Sequence, residues 1–450
     1  ETESLNLNVY SNDLEASAPV LVWLHGGAFM FGSGTQPIYQ SRWGSLLSKR
    51  TGCVLVTINY RLGAFGFLKV EGGDSNIGIR DQIAALKWVK ENIANFGGDP
   101  SNVTIAGERA GGMSVGTLLA SPKARPYFHK AIAMSGAADN AMSSSDAKRI
   151  SDDFARLANL KTPISVENTK NLSVTEILTV QTRLLMKRRM AMPFQPYVDG
   201  DVLNDFPLNS VRNGCAGDKK LMIGFNKSEW ALFAPRIPVV SSWMQDNSPE
   251  ILSERVARQF MTHRLGAESN LEDARARAHA MILKLCDGLK GGLNDVIIQF
   301  YTELVFAAPA IRLAEAFSNH NKSCHVYRFD FSDSVLSAAH AVELPLLFGT
   351  HNQHVALQLF SGSMWGRAEL VSRDLMRSFE SFMKHGTPGW ASYRCSHDGE
   401  ERSVYIFGRD ARVDKDAHKG YIIPELSDVL EASKRPFGIR MIRKEIKSKL

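Results

Sequence analysis

The segment Gly107-Glu108-Arg109-Ala110-Gly111-Gly112 carries the strongest chemical signal in the chain. It follows the apolar run Val103-Thr104-Ile105-Ala106 and opens a helical pattern. A G-x-S-x-G turn in that setting is a sharp strand-to-helix bend that pushes a serine hydroxyl into an active site. Every part of the bend is present here except the serine, and Arg109 stands at the apex. A second small-residue turn, His25-Gly26-Gly27-Ala28-Phe29, closes another apolar run. Small residues there let backbone N–H groups point into a cavity. With the N–H of Ala110, amides of this turn are expected to form an oxyanion hole, where the loss of one donor typically costs ~10²–10³ in rate. Glu229 and His340 come later in the chain, in the order acid, then histidine. In that order the imidazole takes the nucleophile's proton and a buried carboxylate fixes its tautomer.

Arginine cannot replace the serine. Its guanidinium stays protonated and has no lone pair to attack with. Loss of a nucleophile or its base leaves only ~10³–10⁴-fold catalysis over water. The long side chain is also expected to enter the space an acyl group needs. A buried, unpaired guanidinium is costly, so Arg109 is expected to contact Glu108 or Glu229. Neither nearby serine is expected to act as a surrogate: Ser114 should face helix packing, and Ser135 should be structural. Glu343 is expected in a structural salt bridge. Phe29, Phe194, Phe233 and Trp365 fit a pocket lining and a plain core equally well.

These residues need a framework of strand ends. Ala18–Leu24, Cys53–Ile58, Val103–Ala106, Ala131–Met134, Leu221–Gly224, His325–Phe329 and Ser403–Phe407 read as short apolar strands. Between the early ones lie helical patterns, such as 76–96 with Ile79, Ile83, Leu86, Val89 and Ile93 on one face. Strands alternating with helices imply an α/β fold, a mostly parallel sheet covered on both faces with its site at the strands' carboxyl ends. The stretch 141–320 reads as mostly helical, with a long helix at 297–317 broken near Pro309. One domain spanning 1–450, with that region as a helical cap, is the expected organisation.

Composition narrows the function. The chain has 450 residues, 44% hydrophobic and 22% charged, which is ordinary for a globular protein. The net charge of +6 is mild, and part of it lies in Arg440, Arg443, Lys444, Lys447 and Lys449, where Ile442 and Ile446 suggest a solvated amphipathic helix. No zinc pattern, helix-turn-helix or aromatic interleaving supports nucleic-acid binding. Five scattered cysteines (Cys53, Cys215, Cys286, Cys324 and Cys395) show no metal-ligand spacing and point to free thiols in a reducing, cytoplasmic setting. No signal peptide is visible, and no stretch approaches 18 apolar residues, so no transmembrane helix is expected. No cofactor or metal is expected either, and nothing in the sequence sets an oligomeric state.

Taken in order, the motifs resemble the type-B carboxylesterase family, which includes the cholinesterases. Leu5-Asn6-Leu7-Asn8-Val9-Tyr10 resembles its first LNVY strand, and 25–29 with Gly32-Ser33-Gly34 its oxyanion loop. Asn59 to Leu68 (NYRLGAFGFL), Asn76-Ile77-Gly78 with Asp81-Gln82, and Phe96-Gly97-Gly98-Asp99-Pro100 are close matches to further signatures. Gly224 to Glu229 resembles the acid loop and Ser337 to Gly349 the histidine loop. The segment FAAPAIRLAEA and the compact size look more like bacterial members.

The resemblance implies the α/β-hydrolase fold and hydrolysis of a small-molecule carboxylic ester through a serine acyl-enzyme. It makes Glu229 the acid, His340 the base, and Gly27, Ala28 and Ala110 the oxyanion donors. Three positions and one segment depart from the pattern. Arg109 replaces the nucleophile. Ser4 stands where many members have a disulfide cysteine. Trp230 follows the acid where the family prefers glycine. The family's usual N-terminal segment, with its first strands and an arginine-bearing turn, is not in this sequence, which would leave a sheet edge less protected. The expectation is an esterase scaffold silenced at its nucleophile, a pseudoenzyme. The alternative is a non-catalytic binding or adhesion member of the same family.

Overall fold

The computed structural model describes residues 4–40, 44–188, 192–234, 248–256, 271–288, 292–353, 356, 359–360, 364–394, 402–415, 421 and 426. Cys395 and the basic stretch 440–449 lie outside them. Nine strands form one sheet: β1 (Leu7–Tyr10), β2 (Ala18–Leu24), β3 (Val54–Ile58), β4 (Gly98–Glu108), β5 (Lys130–Met134), β6 (Lys220–Asn226), β7 (Cys324–Phe329), β8 (Val404–Phe407) and β9 (Arg412–Asp414). Their order is β1-β3-β2-β4-β5-β6-β7-β8-β9. The outer pairs β1/β3 and β8/β9 are antiparallel, and every pair between them is parallel.

The central strands are buried on both faces, so they read as continuous apolar runs without a polar alternation. All five residues of β3 and of β5 are buried. The alternation that does exist sorts residues between two cores. Val20, Val22 and Leu24 of β2 join one apolar cluster, while Leu21 and Trp23 join the other on the opposite face. Helix Ile77–Asn92 and helix Ala110–Ala120 contribute Ile79, Leu86, Val115 and Leu118 to the first. Helix Trp365–His385 contributes Leu375, Phe379 and Phe382 to the second.

The expected strands are all present, and β9 is an addition the short exposed run Arg412–Asp414 did not signal. The helical reading at 297–317 is refined. Helix Leu293–Thr302 passes through one π-helical turn, Glu303–Ala307, and resumes as helix Ala308–Ser318. Pro309 sits in the first turn of the resumed helix, where its missing N–H and ring are tolerated. This 26-residue run, Leu293–Ser318, is long and apolar enough by composition to cross a bilayer, but most of it is buried inside this fold, in keeping with the expectation of no transmembrane helix. Its apolarity is that of a core helix. Cys53, Cys215, Cys286 and Cys324 are free thiols.

Candidate functional site

The carboxyl ends of β2, β4, β6 and β7 feed the loops that carry the singled-out residues. Strand β4 ends at Glu108, and helix Ala110–Ala120 starts two residues later. Such an abrupt reversal needs close approach of backbone. A methyl group added at Gly111 would overlap the carbonyl oxygen of Leu24, and one added at Gly107 would lie 2.7 Å from that same oxygen. Arg109 takes the bend itself, at φ 53° and ψ −113°. Side-chain-bearing residues seldom adopt that conformation, and surrounding contacts must hold it. They do: the Arg109 N–H donates to Met134 O at 2.9 Å, and Arg109 O accepts from Met113 N at 2.7 Å.

The loop after β2 is strained in the same sense. Gly27 has φ 121°, and Ala28 and Phe29 have φ 57° and 58°. The loop lies against the bend, since a methyl at Gly26 would sit 3.7 Å from Arg109 Cβ. Among the described residues, no backbone carbonyl accepts from the N–H of Gly27, Ala28 or Ala110. Ala110 opens its helix, where the first N–H groups have no intrahelical acceptor. Three amide donors therefore remain available beside residue 109.

Opposite them, the structure brings Glu229 and His340 together. Glu229 opens the 3₁₀ turn Glu229–Leu232 after β6, and His340 lies on the loop after β7. His340 Nδ1 is 2.6 Å from Glu229 Oε2. The other oxygen, Glu229 Oε1, accepts from Ser135 Oγ at 2.5 Å and from Asn226 N at 2.7 Å. All four residues are buried, so each bond is made in a medium where leaving it unmade is expensive.

The second ring nitrogen has a partner that sequence reasoning missed. His340 Nε2 lies 2.8 Å from Glu108 Oε1, at ion-pair distance though without the alignment of a hydrogen bond. Burial alone would disfavour the charged imidazolium, but the Glu108 and Glu229 carboxylates outweigh it and raise the His340 pKa to about 9. Phe233 and Phe306 flank the ring, with centroids 5.1 and 5.0 Å away.

Arg109 does not make the contact expected of it. Glu108 and Glu229 are both committed to His340, and among the described residues no carboxylate lies within ion-pair distance of the guanidinium. Arg109 Cζ instead lies over the Phe233 ring, 4.9 Å from its centroid. Burial lowers its pKa, against the opposing pull of the Glu108 and Glu229 charges. Glu343 also differs from expectation. It is fully buried with no cationic ion-pair partner among the described residues, and its carboxylate accepts from Asn226 Nδ2. Burial, with the neighbouring Glu229 and Glu108 charges, raises its pKa to about 8.

The other candidates sort cleanly. Ser114 Oγ is buried and accepts from Gln82 Nε2 at 3.0 Å, inside the packing of two helices. Phe29 packs edge-on against Phe67 in the core, Phe194 is fully buried, and Trp365 is partly exposed. Trp230 stacks on Tyr301 with centroids 4.9 Å apart, so the residue after Glu229 is a packing element here.

Comparison with known proteins bears on the fold and the family. The model of the carboxylesterase family matches residues 1–406. The para-nitrobenzyl esterase of Bacillus subtilis is 32% identical over 431 residues, covering 92% of this chain and 81% of that protein. The liver carboxylesterase of Sus scrofa is 30% identical over 473 residues, covering 97% of this chain and 79% of its own. Among solved structures, a carboxylesterase of Geobacillus stearothermophilus superposes with a TM-score of 0.78 at 31% identity, covering 92% of this chain and 84% of that one. A thermophilic PNB esterase gives a TM-score of 0.77 at 29% identity, with 95% and 84% covered. With its α/β-hydrolase sheet and its ordered motifs, this chain belongs to the carboxylesterase family.

Proposed function

We propose that this chain is a carboxylesterase-family protein that retains an ester-recognising site but does not hydrolyse esters. The observation that carries the reading is the guanidinium at the apex of the elbow, in the place of a hydroxyl nucleophile. Acyl transfer needs a lone pair on the attacking atom, and a protonated guanidinium has none. A second block adds to the first. A general base must be unprotonated, and an imidazole with a pKa near 9 carries both its protons at neutral pH. The Glu229–His340 pair and the donors of Gly27, Ala28 and Ala110 then form the remnant of an acyl-transfer site, with Glu229 as orienting acid and His340 as disabled base.

The test is Arg109→Ser, assayed with para-nitrophenyl butyrate. The native chain is expected to show no enzymatic turnover. The variant is expected to gain about 10³-fold or more. Its kcat/KM should climb with pH up to about 9, because only neutral His340 can take the serine's proton. Turnover by the native chain at an esterase-like rate, or an inert, folded Arg109→Ser protein across that pH range, would defeat the reading.

A further inference from the structure

The elbow and the loop at 25–29 gather several donors, and the acceptor beside them is the Glu108 carboxylate, whose Oε1 faces His340 Nε2 and whose Oε2 lies where a methyl on Gly26 would come within 2.8 Å. The amides of Gly27, Ala28 and Ala110 have no backbone acceptor among the described residues. Arg109 adds a planar guanidinium with five N–H groups and, among the described residues, no carboxylate at ion-pair distance. Both carboxylates near it are engaged elsewhere, on the two nitrogens of His340. The start of helix Ala110–Ala120 contributes positive potential at the same point. A cation at a helix N-terminus is unfavourable by itself, and an anion placed between them relieves both. Arg109 and Gly27 keep partial exposure, so solvent reaches this corner. The partly exposed ring of Phe233, which the guanidinium overlies, is the apolar surface beside it.

We infer that this corner is a binding site for a monocarboxylate anion, held by the Arg109 guanidinium and the oxyanion-loop amides with its hydrocarbon chain against Phe233. The inference rests on the reading of the site as a silenced acyl-transfer centre, and it names the ligand class that the substitution selects. An ester offers a neutral carbonyl oxygen to these donors. A carboxylic acid, the acyl product of an ester hydrolysis, offers two charged oxygens that match a guanidinium fork. The residue that removes the reaction therefore converts a site for a transient oxyanion into a site for a stable one. No bond is made or broken.

The experiment is calorimetric titration of the native protein at neutral pH with hexanoate, hexanol and hexylammonium. Hexanoate is expected to bind, with the alcohol and the amine at least about tenfold weaker. Arg109→Gln should lose about tenfold or more in hexanoate affinity, the range for a lost charge-assisted bond. Arg109→Lys, which keeps the charge but not the fork, should fall between native and Gln. Hexanoate binding no tighter than hexanol, or an unchanged affinity in folded Arg109→Gln, overturns the proposal. The native-protein comparison stands even if a variant does not fold. The two ideas separate experimentally. An Arg109→Ser protein that hydrolyses esters, beside a native chain indifferent to hexanoate, removes the carboxylate site and leaves the silenced-esterase reading. Native binding beside an inert Arg109→Ser protein does the reverse.

Discussion

The two sides of the site differ in how their polar groups are satisfied. On the side of β6 and β7, Glu229 spends both oxygens on His340, Ser135 and Asn226, and the imidazole is held at both nitrogens. On the side of β2 and β4, three amides have no backbone acceptor and the guanidinium has no ion-pair partner among the described residues, while Glu108 at the end of β4 reaches across to His340. The first side is the more closed of the two, a buried network in which Asn226 Oδ1 and Glu343 Oε1 are left without a hydrogen-bond partner among the described residues. The second is open and defined by what it lacks. Under the proposed silencing, the site keeps its internal order on one side and its demand for a partner on the other.

The sharpest way to break this comparison is to make the two sides work together again. In an Arg109→Ser background, His340→Ala should abolish the gained esterase activity, a loss of about 10³-fold. The same His340→Ala change should leave the native chain's background rate where it was. Glu108→Gln in the serine background should move the rise in kcat/KM to lower pH, since it removes one of the two charges holding the imidazole protonated. Activity that survives His340→Ala would mean the closed side is not a base.

Next in size is a contrast in stability. Gly111→Ala drives a methyl into the Leu24 carbonyl and should cost about 3 kcal/mol or more. Arg109→Ala, at the apex of the same bend, removes a partly desolvated charge and should change stability by less than about 1 kcal/mol. Denaturant melts of the two variants check this. Equal losses would place Arg109 inside the structural framework of the elbow.

The smallest effect is on pH dependence. The His340 pKa is about 9 in the fold against an ordinary 6.5, so its stabilising contribution is full below 6.5 and is lost as pH rises to 9. Glu343, raised from 4.5 to about 8, favours the protonated form in the fold, so its contribution is full below 4.5 and lost as pH climbs through 8. Both effects run the same way. The melting temperature should fall by several degrees between pH 6.5 and 9, and His340→Gln should flatten part of that slope. A profile that is flat over this range would contradict a doubly paired imidazole.

Much of this was legible in the residues. Continuous apolar runs located the parallel strands because both faces of the sheet are covered. Glycines marked the elbow because Gly107 and Gly111 touch neighbouring backbone. The order of Glu229 and His340 came from the motif layout. What failed was pairing across sequence distance. Charge proximity suggested that Glu108 or Glu229 would meet Arg109. In the fold, the bend turns successive side chains apart, which sends Glu108 toward the imidazole and Arg109 toward Phe233. The role of Ser135 was hidden for the same reason, since its partner Glu229 is 94 residues away. Glu343 lay in a recognised loop, yet nothing in its neighbours signals a buried carboxyl without a cation.

The π turn at Glu303–Ala307 has a consequence for how the wall of this pocket is built. One extra residue in a helical turn rotates the helix ahead of it by ~100° relative to the helix beyond it. Tyr301, ahead of the turn, stacks on Trp230, while Phe306, within it, meets the His340 ring. Helix Ala308–Ser318 meanwhile stays seated in the core with Ile311, Leu313 and Phe317. The inserted residue acts as a swivel between anchor and wall, so the chain can re-aim the aromatic lining without moving the helix that supports it.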